Sequence, residues 1–393
     1  MLLEQRLTPC KVQNAQNLLK NLRCWGDWLR TFLRIYYRIF TDIYVYFRMK
    51  INNLQLDLDM ALVSEIAKID RFDAAWANYE KREGDSLKQL KSIATVQSVG
   101  ASTRIEGSQM TDDEVEVFIN KIEMSSFTER DQQEVAGYFE TLDTITEHFG
   151  TIEISENQIM GLHSLLLKYG EKDAWHRGKF KQVSNSVEAN LLDGSKQVIF
   201  KTSEPGLRTQ DDMIRLFEWY RADGETLPLI KAALFVYEFL SIHPFQDGNG
   251  RLSRLLGSLL LLKSGYSWIQ YISFENEIEN RKSAYYKVLI DTQRNRPGEN
   301  VTEWLRFFLC CLSHIQENLL LKLDQRRTDN IASNQRERKI LFFIENHPGC
   351  SSGEISSKLD LVLPTVKKNL SELVERKVIY KEGVGRGTAY FLI

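Results

Sequence analysis

The chain has 393 residues, long enough for two or three domains, with 43% hydrophobic and 26% charged residues, both ordinary for a soluble globular protein. A formal net charge of −2 excludes a general polycation, so any nucleic-acid surface must be local. Five cysteines, at Cys10, Cys24, Cys310, Cys311 and Cys350, match neither a metal-binding pair nor a disulfide framework and point to a reducing cytoplasm.

The first fifty residues carry nine Lys/Arg against three Asp/Glu, and an aromatic stretch from Trp25 to Phe47 is interrupted by Arg30, Arg34 and Arg38. No run of about 18 uncharged apolar residues exists there, so no spanning helix and no membrane partner is expected. Charges scattered through the apolar region also do not fit a signal peptide. A basic amphipathic surface helix is one reading. The plainer one is an extension outside the main fold, with Met49 or Met60 as the start.

From Leu54 onward the pattern is overwhelmingly helical. Ile66, Ile69, Phe72, Trp76 and Tyr79 recur at three- and four-residue steps, and Leu87, Leu90, Ile93, Ala94 and Gln97 continue the rhythm after Gly84. Ser102 and Glu106 lie four apart, near a helix end that Gly107 closes. Capping boxes at Thr111 with Glu114 and at Ser155 with Gln158 announce further helices. Others are expected over 132–149, 210–222, 229–242, 277–292 and 301–323. Residues 179–202 break the helical pattern: short β-prone runs flank an Asp193-Gly194 pair, the signature of a hairpin.

The densest string is His243-Pro244-Phe245-Gln246-Asp247-Gly248-Asn249-Gly250-Arg251-Leu252-Ser253-Arg254. Pro244 stops the apolar helix before it, and Gly248 and Gly250 permit the close backbone approach that an anion needs above a helix N-terminus. The leucine-rich helix that follows aims its free N–H groups and positive dipole end at that anion. His243, beside the proline, suits an exposed general base with a pKa near neutrality. Asp247 offers a hard oxygen to Mg²⁺, which usually binds through one or two carboxylates plus substrate phosphates. Gly248, Asn249 and Gly250 offer backbone N–H groups and one amide to phosphate oxygens, while Arg251 and Arg254, one turn apart, can neutralise charge as a phosphate bond breaks. A helix-capping His or Arg alone would be structural, and Gly-x-Gly alone is weak; their coincidence specifies phosphoryl or nucleotidyl transfer.

After a polar link at 324–330 the pattern restarts. A helix around Ile340 to Ile344, a short one from Ser352, a third opened by Pro364 and a terminal hairpin make a winged helix. The third helix presents Thr365, Lys367, Lys368, Asn369 and Ser371 as a recognition face, and Arg386 in the Gly-rich wing tip could reach a phosphate or minor groove. From Ile331 onward there are ten Lys/Arg and seven Asp/Glu, a small excess, so a protein-interaction or dimerisation role is the alternative.

Residues 243–254 resemble the Fic family signature H-x-F-x-D/E-G-N-G-R-x-x-R at every defined position, and with the flanking helices the resemblance covers residues 55–325. Ser102-Thr103-Arg104-Ile105-Glu106-Gly107 is similar to the family's inhibitory motif S/T-x-x-x-E-G/N. The resemblance implies transfer of AMP from ATP·Mg²⁺ to a Ser, Thr or Tyr hydroxyl of a target protein. His243 would deprotonate the hydroxyl, Asp247 would hold Mg²⁺, Gly248-Asn249-Gly250 would cradle the α/β-phosphates, and Arg251 and Arg254 would bind the β/γ-phosphates. Glu106 would inhibit by occupying Arg254. Val198, Ile199, Phe200, Lys201 and Thr202 look like the target-docking edge of a flap, a packing hairpin being the alternative. Tyr285 and Tyr286 would line the adenine pocket, if they are not core.

The expected fold is mainly α: a Fic-type helical bundle with a small β-hairpin flap, plus a C-terminal winged-helix (α+β) domain. The expected divisions are an extension at 1–50, a helical region with the inhibitory helix at 51–128, a catalytic core at 129–325, a linker at 326–333 and the winged helix at 334–393. The rival functions are a DNA-binding transcriptional regulator that senses nucleotide, a de-AMPylase in which Glu106 positions water, and transfer from another nucleotide such as UTP or CDP-choline. Expected partners are a target protein, DNA through the C-terminal domain and a second copy of the chain.

Overall fold

A computed structural model describes residues 47–48, 54–121, 127, 129–190, 196–331, 335–383 and 385–392. Apart from Phe47 and Arg48, the basic extension at 1–50 lies outside the described residues, as does the Asp193-Gly194 turn. Two short strands come first, β1 (Phe47–Arg48) and β2 (Gln55–Leu56), paired antiparallel. Gln55 exchanges backbone bonds of 2.9 Å with Glu299 and Val301, so the chain is extended here, not helical from Leu54 as its sequence suggested.

The helical periodicity then takes hold in α1 (Met60–Ile105), capped by Asp59, whose Oδ1 accepts from the Leu62 N–H at 2.9 Å. Gly84, at φ 7° and ψ −85°, kinks it, so the two periodic segments run on as one bent helix. The end of α1 is closed by Gly107 at φ 116°, with the Gly107 and Ser108 N–H groups bonded to Arg104 O and Thr103 O at 3.1 Å. Three helices follow: α2 (Asp112–Asn120), α3 (Arg130–His148) and α4 (Glu156–Leu166). The Thr111–Glu114 capping box is formed in both directions, whereas Ser155 starts α4 without a side-chain cap bond. At Gly137 the α3 backbone meets that of α4 so closely that a Cβ would lie 2.0 Å from Leu166 O.

The hairpin is β3 (Ser186–Asn190) against β4 (Lys196–Lys201). Next come α5 (Leu207–Ala222), α6 (Pro228–Ile242), α7 (Asn249–Lys263), α8 (Phe274–Asn280), α9 (Lys282–Gln293) and α10 (Thr302–Ile331). The helix expected at 277–292 is two, because Arg281, at φ −111° and ψ 23°, breaks it. Almost every residue of α6 and α7 is buried, including Phe235, Phe239, Leu255 and Leu259 at 0% exposure. These two helices are the middle of the core, and the loop joining them is thereby held rigidly at its edge. Among the described residues no helix is long and apolar enough to cross a membrane.

The C-terminal module has its own core of Ile340, Ile344, Ile355, Val366, Leu370, Leu373 and Ile379. It comprises α11 (Gln335–Asn346), α12 (Ser352–Leu359), α13 (Leu363–Glu375) and a hairpin of β5 (Ile379–Glu382) with β6 (Ala389–Leu392). Lys367 and Lys368 of α13 are exposed. Asn369, expected beside them, is instead 6% exposed and donates to Thr365 O at 2.7 Å, so it braces the helix from within.

Candidate active site

Pro244 bars His243 from continuing α6. His243 takes the left-handed conformation instead, at φ 53° and ψ 61°, a strained placement for a residue with a side chain. The ring is half-buried, and its Nδ1 lies 3.4 Å from Leu240 O. A carbonyl only accepts, so this Nδ1 carries the proton and Nε2 keeps its lone pair. Burial, with the Lys181 ammonium nearby, holds the imidazole down to about 4. The exposed base titrating near neutrality is therefore corrected: the ring is sheltered and stays uncharged at neutral pH.

The loop after His243 is shaped by its own side chains. The Phe245 N–H donates to Asn249 Oδ1 at 2.9 Å and Asn249 Nδ2 donates back to Phe245 O at 2.7 Å. Asn249 is 2% exposed, so its amide is consumed inside the loop and is not offered to a phosphate as expected. The Gly248 N–H, at φ 77°, donates to Asp247 Oδ1 at 2.7 Å. The N–H groups of Asn249, Gly250 and Arg251 come ahead of the first helical bond, Leu252 N–H to Gly248 O. N–H groups in such a position, at the positive end of a helix dipole, are favourable for an anion.

Asp247 points partly to solvent, its side chain 40% exposed, with Arg251 at 3.2 Å and Arg130 at 3.4 Å. Burial pulls its carboxyl upward, but Arg251, the Gly248 N–H and Arg130 hold it below the usual carboxylate range. His163, which the sequence reading passed over, fixes this residue from below. Its ring stacks on Phe245 at 3.8 Å; Nδ1 accepts from the Gly178 N–H at 3.0 Å, so Nε2 is the protonated nitrogen and donates to Asp247 O at 3.0 Å. Burial holds His163 down to about 4 and preserves that tautomer.

Arg251 and Arg254 are each 2% exposed. Arg251 reaches Asp247 and, at 3.3 Å, Glu134, while its Nε finds no hydrogen-bond acceptor among the described residues. Arg254 is held on one side: Nε donates to Ser102 Oγ at 2.8 Å, and Nη2 to Ser102 O at 3.0 Å and Glu106 Oε1 at 2.8 Å. Burial alone would raise the Glu106 carboxyl, yet Arg254, with Arg251 behind it, holds it below its ordinary value. A Cβ at Gly250 would lie 2.3 Å from Glu106 Oε1, so the carboxylate sits directly over the first turn of α7. Glu106 thus places a carboxylate on Arg254 beside the start of α7.

The end of α1 that delivers Glu106 is fastened in turn. Arg104 donates to both carboxylate oxygens of Glu279 at 2.8 Å and to Asp112 Oδ1 at 2.9 Å, and Lys282 Nζ donates to Ile105 O at 2.7 Å. Behind Arg254, Tyr285 is 3% exposed and packs between Tyr286, Trp304 and Phe307 at ring distances of 5.2–5.9 Å. It lines no open surface in this state; Tyr286 beside it is half-buried. On the hairpin, Phe200 and Thr202 turn inward at 9% and 6% exposure, so an edge contact there would run through the β4 backbone. The loop, both arginines, Ser102 and Glu106 are brought together, whereas Thr365, Lys367 and Lys368 lie on α13 of the C-terminal module.

Residues 153–261 match the Fic/DOC family model, and a Fido domain-containing protein of Dictyostelium discoideum is 37% identical over 145 residues, 36% of this chain and 96% of that protein. The chain belongs to the Fic/DOC family. Residues 333–380 match a winged helix-turn-helix DNA-binding model, so the chain carries a winged-helix domain after its Fic domain. A protein adenylyltransferase Fic of Culex quinquefasciatus is 27% identical over 187 residues, 46% of this chain and 34% of that protein; the Fic chain thus spans about a third of that enzyme's length. Its fold is that of a Fic family protein from Desulfovibrio desulfuricans G20, at TM-score 0.56 and 23% identity over 86% of this chain and 97% of the other.

Proposed function

We propose that the chain is an auto-inhibited protein adenylyltransferase that moves AMP from ATP to a Ser, Thr or Tyr hydroxyl of a target protein. The observation that carries this reading is the carboxylate of Glu106 on Arg254, beside the start of α7, an anion from another segment set against the arginine that this scheme assigns to phosphate. In this scheme the N–H groups of Asn249 and Gly250 and the guanidinium groups of Arg251 and Arg254 hold the triphosphate. The free Nε2 of His243 takes the proton from the target hydroxyl, which is thereby activated to attack the α-phosphorus. Pyrophosphate leaves as its growing charge is met by the two arginines.

A single partly exposed, ionised carboxylate suits an ion held mainly by substrate phosphates, and Asp247 would hold Mg²⁺. When bound, that ion supplies charge neutralisation on the phosphates. The backbone from Val198 to Thr202, along β4 and one residue past it, would align the target segment, and Tyr286 would face the adenine. The working units are 51–128 with the inhibitory helix, 129–325 with the chemistry and 334–393, a winged helix that docks on DNA through Thr365, Lys367, Lys368 and Arg386. A reducing cytoplasm suits the free thiols of Cys310, Cys311 and Cys350.

The test is incubation of the Glu106→Gly protein with ATP labelled at the α- or the γ-phosphate. Adenylyl transfer gives protein-bound α-label alone, absent when His243 is also replaced by Ala. Protein-bound γ-label would mean phosphoryl transfer and would overturn the reading.

A further inference from the structure

Lys181 is a buried charge that this reaction scheme does not use. Its side chain is 0% exposed, and its ammonium donates to Asn185 Oδ1 at 2.8 Å, Thr202 Oγ1 at 2.8 Å and Ile242 O at 3.2 Å. An ammonium has three N–H bonds, and here each ends on a neutral oxygen. Neighbouring contacts continue the same belt: the Lys181 N–H donates to Pro244 O at 2.8 Å, Asn185 Nδ2 to Phe245 O at 2.9 Å, and the Ser203 N–H to Ile242 O at 3.3 Å. Residues 180–185 and 202–203 therefore grip the chain at Ile242, Pro244 and Phe245, on either side of His243.

We propose that Lys181 is the positioning residue of His243: its ammonium ties the base of the β3–β4 hairpin to the Ile242 carbonyl and so holds the imidazole in its left-handed placement. A left-handed residue with a side chain persists where its surroundings over-determine it, and this belt does so. Among the described residues no carboxylate is in hydrogen-bonding contact with this ammonium, an unfavourable burial that an apolar chain of equal length would avoid. The charge also acts on the ring. Among the described residues, the charged groups acting most on His243 are Lys181, Glu106 and Asp247, and those acting most on Lys181 are Glu204 and Asp212. Lys181 repels a protonated imidazole, which adds to burial in keeping His243 the free base. The placement stands on the contacts, while its consequence for rate rests on the adenylyl-transfer reading.

The experiment compares the full chain with Lys181→Met, which removes bonds and charge, and Lys181→Gln, which keeps a donor without charge. Both are made with and without Glu106→Gly. Imidazole NMR follows the titration of His243, its signal identified by loss in His243→Asn. In both variants His243 should titrate about one pH unit or more higher than in the parent. In the Glu106→Gly background, kcat for label transfer should fall about tenfold in Lys181→Met and about threefold or less in Lys181→Gln, with the KM for ATP held within about twofold. An identical His243 titration in parent and variants overturns the proposal, and so does an unchanged kcat in Lys181→Met. If Lys181→Met fails to fold, Lys181→Gln decides by its titration. If the Glu106→Gly parent transfers no label, the adenylyl-transfer reading falls and the NMR comparison still decides Lys181.

Discussion

Arg104 stands two residues before Glu106 and fastens the end of α1 through a bidentate pair with Glu279 and bonds to Asp112 Oδ1 and Met110 O at 2.9 and 3.0 Å. Exposed ion pairs contribute up to about 1 kcal/mol and buried charge-assisted bonds about 1.5–3 kcal/mol. With the Arg104 and Glu279 side chains 21% and 24% exposed, the case is intermediate. Arg104→Ala should therefore weaken the closed helix end by about 2 kcal/mol, which makes its opening about 30-fold more frequent. Amide hydrogen exchange reads this directly at Glu106, Gly107 and Ser108, whose N–H groups bond to Thr103 O and Arg104 O within the closing turn. The acceleration should be confined to that turn. Exchange within about threefold of wild type would refute the reasoning, and so would an equal acceleration in α3, which would mean global destabilisation.

Gly137→Ala forces a Cβ to within 2.0 Å of the Leu166 carbonyl, backbone that cannot step aside, so stability should fall by about 2–3 kcal/mol in denaturant unfolding; an unchanged midpoint would contradict the α3–α4 contact. His163 is 0% exposed and held down to about 4 by burial, so below pH 6.5 the unfolded chain takes up a proton that the folded chain refuses. Stability should thus fall as pH drops from 6.5 to 4, by up to about 3 kcal/mol from this group, and His163→Phe should flatten that slope in pH-resolved unfolding. Parallel slopes would exclude the buried neutral imidazole. In the winged helix, Lys367→Ala with Lys368→Ala should abolish a salt-dependent shift with duplex DNA; no binding by the parent at low salt would remove the DNA-docking role.

The parts of the site that follow one another in sequence were legible because their chemistry is local. His243 to Arg254 announces a helix stop, a new helix start and two cations through Pro244, Gly248, Gly250 and the arginine spacing, and the structure brings these together. What was misjudged concerns environment. Asn249 reads as a free amide until its reciprocal bonds to Phe245 appear. His243 reads as an exposed base until the packing around α6 shows it sheltered. His163, Lys181 and Arg104 gave no local signal, because each acts on a partner distant in sequence: Asp247, Ile242 and Glu279. Element boundaries failed for a similar reason. Gln55 is extended through its bonds to Glu299 and Val301, and the break at Arg281 splits a continuous apolar pattern.

The most direct measurement is the initial rate of α-label incorporation from ATP by the wild-type chain, Glu106→Gly and Glu106→Gly with His243→Ala, side by side. On the proposed reading, removing the charge-assisted bond of 2.8 Å between Glu106 and Arg254 frees Arg254 for phosphate. At about 1.5–3 kcal/mol, that release predicts a rate about 10- to 100-fold above wild type, lost again without His243. Equal incorporation by wild type and Glu106→Gly, or incorporation that survives the loss of His243, would contradict the account.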